Sequence, residues 1–129
     1  MLPVERIDHG VTACQDEALM ERLVADQISL TVCPLSNLRL KGVPSLKAHP
    51  LKQMLDRGLR VSVHSDDPPY FGGYVNENLE ACHMALDLSV EDIAALARNS
   101  FLGSFASPDE IRSNVDAVND HLDVFLTGN

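Results

Sequence analysis

Two adjacent aspartates and a distant histidine are the residues whose types and placing invite chemistry. Asp66 and Asp67 close the stretch Arg60-Val-Ser-Val-His-Ser-Asp66-Asp67-Pro-Pro-Tyr-Phe-Gly-Gly73. Leu59, Val61 and Val63 alternate there with Arg60, Ser62 and His64, at the period of two that a pleated strand imposes. Counting on by twos puts Asp66 on the polar face with His64 and Ser62, while Asp67 begins the Pro-Pro turn. A polar strand face ending in a carboxylate is what the C-terminal rim of a parallel α/β sheet or barrel offers a ligand. Asp before Pro also initiates ordinary solvated turns, so the pair by itself serves either reading. His9 ends a shorter alternation that begins at Val4 and that Gly10 stops. A catalytic role at that tip competes with the commoner one of bonding a neighbouring carbonyl.

The elements that must position these residues follow from the rest of the pattern. Asp16 and Glu17 suit the positive end of a helix, and Leu19, Met20, Leu23 and Val24 give it an apolar stripe. Ile28–Cys33 reads as a second strand, followed by a turn at Pro34–Asn37, where Ser36 and Asn37 are ligand contacts or turn residues bonding their own backbone. Gly42 and Pro44 make the next segment irregular; His49-Pro50 opens another helix, with Gly58 as its stop. Beyond Gly73 the chain reads as helical only. Leu79, Cys82 and Leu86 share one stripe, and Ser89 and Asp92 have the spacing of a capping box. A last helix starts at Ser107-Pro108, with Ile111, Val115, Val118, Leu122 and Phe125 spaced as a core or docking stripe. Strand and helix alternating three times demands parallel strands with right-handed crossovers. Three such strands leave open edges, so the expectation is an α/β unit over residues 1–129 that forms the C-terminal part of something larger.

The totals exclude several classes. In 129 residues there is room for one domain, and 45% hydrophobic content is ordinary. A net charge of −9, with 19 acidic against 10 basic residues and no basic cluster, argues against a nucleic-acid partner. No apolar run is long enough to span a membrane. Three widely spaced cysteines without a Cys-x-x-Cys pair suit reduced thiols and a cytoplasmic location.

Three segments together carry a resemblance. Arg6-Ile-Asp-His9-Gly10, Cys33-Pro-Leu-Ser36-Asn37 and Ser65-Asp66-Asp67-Pro68 occur in the order and approximate spacing of the adenosine/adenine deaminase family, with His49-Pro50 and Arg98-Asn99-Ser100-Phe101 between and after them. The chain resembles the bacterial and fungal adenine deaminases most, through the Arg-Ile-Asp-His-Gly form and the Phe-Gly-Gly after the paired aspartates. The family's enzymes are zinc-dependent (β/α)8 (TIM) barrels of the amidohydrolase superfamily, so the resemblance implies that this chain covers barrel strands six to eight with the terminal helices. It further implies that His9 positions the attacking hydroxide, that Asp66 is a ligand to Zn2+, and that Asp67 hydrogen-bonds the imidazole edge of a small purine base. The implied reaction is hydrolytic deamination of adenine to hypoxanthine and ammonia.

The family's His-x-His, its further histidine ligand and its proton-donating Glu have no counterpart here. The remaining histidines, His49, His64, His83 and His121, fall outside the ligand positions, and His64 reads as an interior residue of the barrel. The expectation is therefore an incomplete chain that needs the missing N-terminal half of the barrel, is inactive alone and binds zinc poorly. Adenosine deamination, or a non-catalytic remnant serving as a binding or assembly module, are the alternatives. Asp8, where adenosine deaminases carry Gly, and the aromatic pair Tyr70 and Phe71 are expected to narrow the space for a ribose, unless Asp8 faces a neighbouring strand.

Overall fold

The computed structural model describes residues 4–128. Three parallel strands, β1 (Arg6–Ile7), β2 (Ser29–Val32) and β3 (Arg60–Val63), lie in the order β1-β2-β3. Arg6 pairs with Ser29, and Ser29 in turn with Arg60, so the three strands run in step from the same end. A 3₁₀ turn at Gly10–Gln15 and helix α1 (Glu17–Ala25) link β1 to β2. From β2 the chain passes through α2 (Pro34–Arg39), a 3₁₀ turn at Leu46–Ala48 and α3 (Leu51–Asp56) into β3. Four helices follow: α4 (Pro68–Phe71), α5 (Val75–Leu86), α6 (Val90–Leu102) and α7 (Pro108–Thr127).

Alternation along the strands gives the sheet two unlike faces. Leu30, Val32, Val61 and Val63 are buried on one face, in a core shared with Met20 and Leu23 of α1, Leu51 and Met54 of α3, Cys82 of α5 and Leu96 of α6. Burying each such aliphatic chain contributes roughly 1.5–3 kcal/mol. The other face carries Thr31, Ser62 and His64, and Asp8 reaches it from just beyond β1. It is polar and internally bonded, and among the described residues no buried side-chain nitrogen or oxygen lacks a hydrogen-bond partner. Asn99 of α6 donates its side-chain N–H to the carbonyl of Val61 at 2.9 Å, which satisfies a backbone group on the far side of β3.

Three local expectations change. The first strand, expected to run to His9, pairs only over Arg6–Ile7, because His9 itself turns left-handed. Pro34–Asn37, expected as a turn, is the first part of α2, and Pro68–Phe71 is a helical turn rather than a stop. In both, proline sits at the first helical position, where its fixed φ is already helical and its missing N–H costs nothing. The capping box at Ser89 forms as expected, and a second one closes at Ser107 with Glu110. The stripe on α7 packs on α6 only half-buried, and Phe125 is 67% exposed. Among the described residues no helix is long and apolar enough to cross a membrane.

Candidate active site

All three strands deliver a polar residue to the same end of the sheet. His9 follows β1, Cys33 follows β2 and Asp66 follows β3, and one donor atom from each lies within 4.8 Å of the other two. Cys33 is the member whose role sequence reasoning missed; its position at the end of β2, at the head of a quoted motif, was the available signal.

His9 and Asp66 both adopt positive φ, 57° and 56°. Non-glycine residues pay roughly 1–3 kcal/mol for such backbone, and here it ends each strand abruptly and re-aims the side chain. It also breaks the alternation, so Asp66 does not continue the face of Ser62 and His64. Gly10 permits the turn after His9: a β-carbon there would sit 2.5 Å from Cδ2 of Leu30. The N–H of His9 donates to Thr31 Oγ1 at 3.1 Å, and the Thr31 hydroxyl donates to Asp8 Oδ1 at 3.2 Å.

Asp66 is held by α2. The Ser36 hydroxyl donates to Asp66 Oδ2 at 2.7 Å, leaving Oδ1 for another partner. Burial, and after it the neighbouring Asp66 carboxylate, push the Cys33 thiol up to about 11. It is therefore a neutral thiol near pH 7. Asp67 is exposed and sits at the N-cap of α4 without a side-chain capping bond, so its carboxylate is free to meet a ligand.

Asp8 bonds to the neighbouring strand. Its carboxylate accepts from Arg6 Nε at 2.9 Å and from Thr31 of the neighbouring strand, and the Arg6 bond holds its pKa below the usual carboxylate value. Tyr70 and Phe71 lie beside Asp67 on α4, with Tyr70 78% exposed. His64 bonds Ser62 at 2.8 Å on the polar face. Burial lowers its pKa, opposed by Asp8.

Two buried polar residues brace this end. His49 Nε2 lies 3.0 Å from Asn37 Oδ1, and its Nδ1 accepts the N–H of Leu51 at 3.1 Å. That acceptance fixes the proton on Nε2, and burial lowers the His49 pKa to about 4. Asn37 is thus a turn-bracing residue rather than a ligand contact. Asn78 of α5 accepts the N–H of Leu35 at 3.1 Å and donates to the Tyr74 carbonyl at 2.9 Å. An apolar groove of about 490 Å³ between α6 and α7 shares no residue with the strand ends.

Polar residues gathered at one end of a parallel sheet are the arrangement of an α/β ligand site, and comparison with known proteins gives the family. The family model described as adenosine deaminase matches residues 1–121. The chain belongs to the adenosine deaminase family. It is 58% identical over 118 residues to an adenine deaminase of Caulobacter vibrioides, covering 92% of this chain and 34% of the relative. An adenine deaminase of Ralstonia pickettii is 56% identical over 121 residues, 94% of this chain and 35% of the relative. Among solved structures, an adenine deaminase from Arthrobacter aurescens is similar with a TM-score of 0.90 and 50% identity, covering 93% of this chain and 37% of that one. A zinc-bound amidohydrolase from Burkholderia ambifaria shares the fold with a TM-score of 0.85 at 23% identity, over 97% of this chain and 35% of that one. The chain spans about a third of the length of the curated relatives it matches.

Proposed function

We propose that this chain forms the C-terminal third of a zinc-dependent adenine deaminase, contributing barrel strands six to eight and three site residues. The observation that carries this reading is the meeting of His9 and Asp66 at the strand ends, in a chain that is more than half identical to adenine deaminases. The donor set suits a divalent cation. Ser36 holds Oδ2 of Asp66 and leaves Oδ1 for a ligand, and donor atoms of His9, Cys33 and Asp66 lie within 4.8 Å of one another. Asp66 would hold the zinc, which when bound lowers the pKa of water to about 7 and makes hydroxide available at neutral pH.

The chain's own residues then have distinct tasks. His9 orients the attacking oxygen and stabilises its charge by a preset donor. Asp67, uncommitted at the head of α4, hydrogen-bonds the imidazole edge of the purine. Tyr70 and Phe71 flank it and restrict the room for a ribose, so adenine is preferred over adenosine. Asp8, bonded to Arg6 and Thr31, takes no part in that exclusion. The proton-donating Glu and the other zinc ligands come from the rest of the barrel, which makes the chain inactive alone.

The test is a hybrid enzyme: the Caulobacter relative with its matching third replaced by this chain. Asp66→Ala should lose zinc and activity together. His9→Ala should retain zinc and lose about 100-fold or more in kcat. Asp67→Ala should weaken both binding and rate. Full zinc occupancy in Asp66→Ala, or a preference of the unaltered hybrid for adenosine, would overturn the reading.

A further inference from the structure

The ladder between β1 and β2 stops at Ile7 and Leu30. Two residues on, the His9 N–H is taken by a side chain of β2 instead, the 8% exposed Thr31. Thr31 spends its one proton on Asp8 Oδ1 and accepts from His9, so the direction of both bonds is set. Asp8 is itself fixed. Arg6 grips both its oxygens, at 2.9 and 3.3 Å. Arg6 is anchored further by a 3.1 Å bond to the Gly103 carbonyl, and its guanidinium lies 4.5 Å above the centre of the Phe105 ring. The chain of contacts runs from the α6–α7 connection through Arg6, Asp8 and Thr31 to the backbone of His9, at the point where that backbone is left-handed.

We propose that Thr31 and Asp8 are positioning residues that hold His9 in its left-handed conformation and thereby aim its imidazole at the reaction centre. The proposal rests on the deaminase reading for its catalytic consequence. Its structural content is independent: without the Thr31 hydroxyl the His9 N–H loses its partner on β2. The carboxylate of Asp8 matters because it orients the hydroxyl, so that the lone pairs of Thr31, not its proton, face His9. A neighbouring glycine at position 8 would leave that hydroxyl free to turn.

The hybrid enzyme tests this with Thr31→Val, Thr31→Ser and Asp8→Asn. Thr31→Val should lower kcat about tenfold, the scale of one lost hydrogen bond, with KM within about twofold and zinc content unchanged. Thr31→Ser should restore most of the rate. Asp8→Asn keeps an Oδ1 acceptor for the Thr31 hydroxyl and should cost less than Thr31→Val; a larger loss than in Thr31→Val would contradict the chain of bonds. The His9 ring resonance, assigned by its loss in His9→Gln, provides a readout free of activity. It should move and broaden in Thr31→Val and return to its place in Thr31→Ser. Unchanged kcat and resonance in Thr31→Val, or no rescue by serine, overturn the proposal. A folded, zinc-loaded hybrid that leaves adenine untouched overturns the deaminase reading, and the resonance then decides the positioning role.

Discussion

Single residues in this chain are coupled through protons and lone pairs that their types alone do not reveal. His49 is the clearest case. Its Nδ1 caps the first turn of α3 through Leu51, and its Nε2–H meets Asn37, so both nitrogens are committed to the neutral ring. Protonation would turn the accepting nitrogen into a donor facing an N–H. With the folded pKa near 4 against 6.5 for the free side chain, the unfolded chain binds the proton first as pH falls. The stability from keeping His49 neutral is thus fully present above about pH 6.5 and is lost progressively between there and about 4, on the order of 3 kcal/mol in all. Urea midpoints of the hybrid between pH 7 and 4.5 should fall with pH. The slope should be shallower in His49→Gln, whose side chain does not titrate; parallel slopes would contradict this account.

At the scale of elements, the short helices at the strand ends depend on partners distant in sequence. Cys33 precedes α2 without a side-chain capping bond, and a helix start leaves its first N–H groups without internal acceptors. Asn78, fully buried on α5, supplies the missing acceptor for Leu35 and ties the same side chain to the Tyr74 carbonyl. It therefore locks α2, which carries Ser36, to the α4–α5 connection beyond Asp67. Gly73 lets the two approach, since a β-carbon there would lie 2.9 Å from Cδ1 of Leu35. Asn78→Leu in the hybrid should cost about 1–3 kcal/mol in urea unfolding, the penalty for stranding buried partners. The KM for adenine should rise with it, because the segment holding Asp67 loosens. Asn78→Asp retains the acceptor for Leu35 and should be the milder change.

For the molecule as a whole, the sheet face opposite the helices is polar, carrying Thr31, Ser62 and His64. Exposed apolar groups are scattered over the helices and loops, among them Leu40, Met84, Phe105 and, near the end of α7, Val124, Phe125 and Leu126. What remains open is the two edges, the two-residue β1 and β3, and a three-strand sheet is short of what a closed barrel provides. The 129-residue chain alone is expected to release no ammonia from adenine with added zinc and to melt over a broad range. The hybrid should turn over and melt cooperatively. A sharp two-state melt of the isolated chain would show a self-sufficient domain, and robust turnover would show that the strand ends need no further ligands.

The sequence by itself determined the parallel order, the three strand cores, the capping box at Ser89 and the family, because periods of two and of three to four and short capping motifs are local signals. The motifs at His9 and Asp66 were legible for the same reason. The tertiary structure alone decided that β1 stops at Ile7, that Cys33 joins His9 and Asp66, that Ser36 takes one oxygen of Asp66, and that Asp8 bonds Thr31. Each of these depends on contacts between residues 22 or more positions apart or on a left-handed φ that no hydrophobic pattern encodes. Helices α2 and α4 belong to the same class. Their prolines read as turn signals one at a time, and only the packing around Leu35 and Asp67 turns them into helix starts.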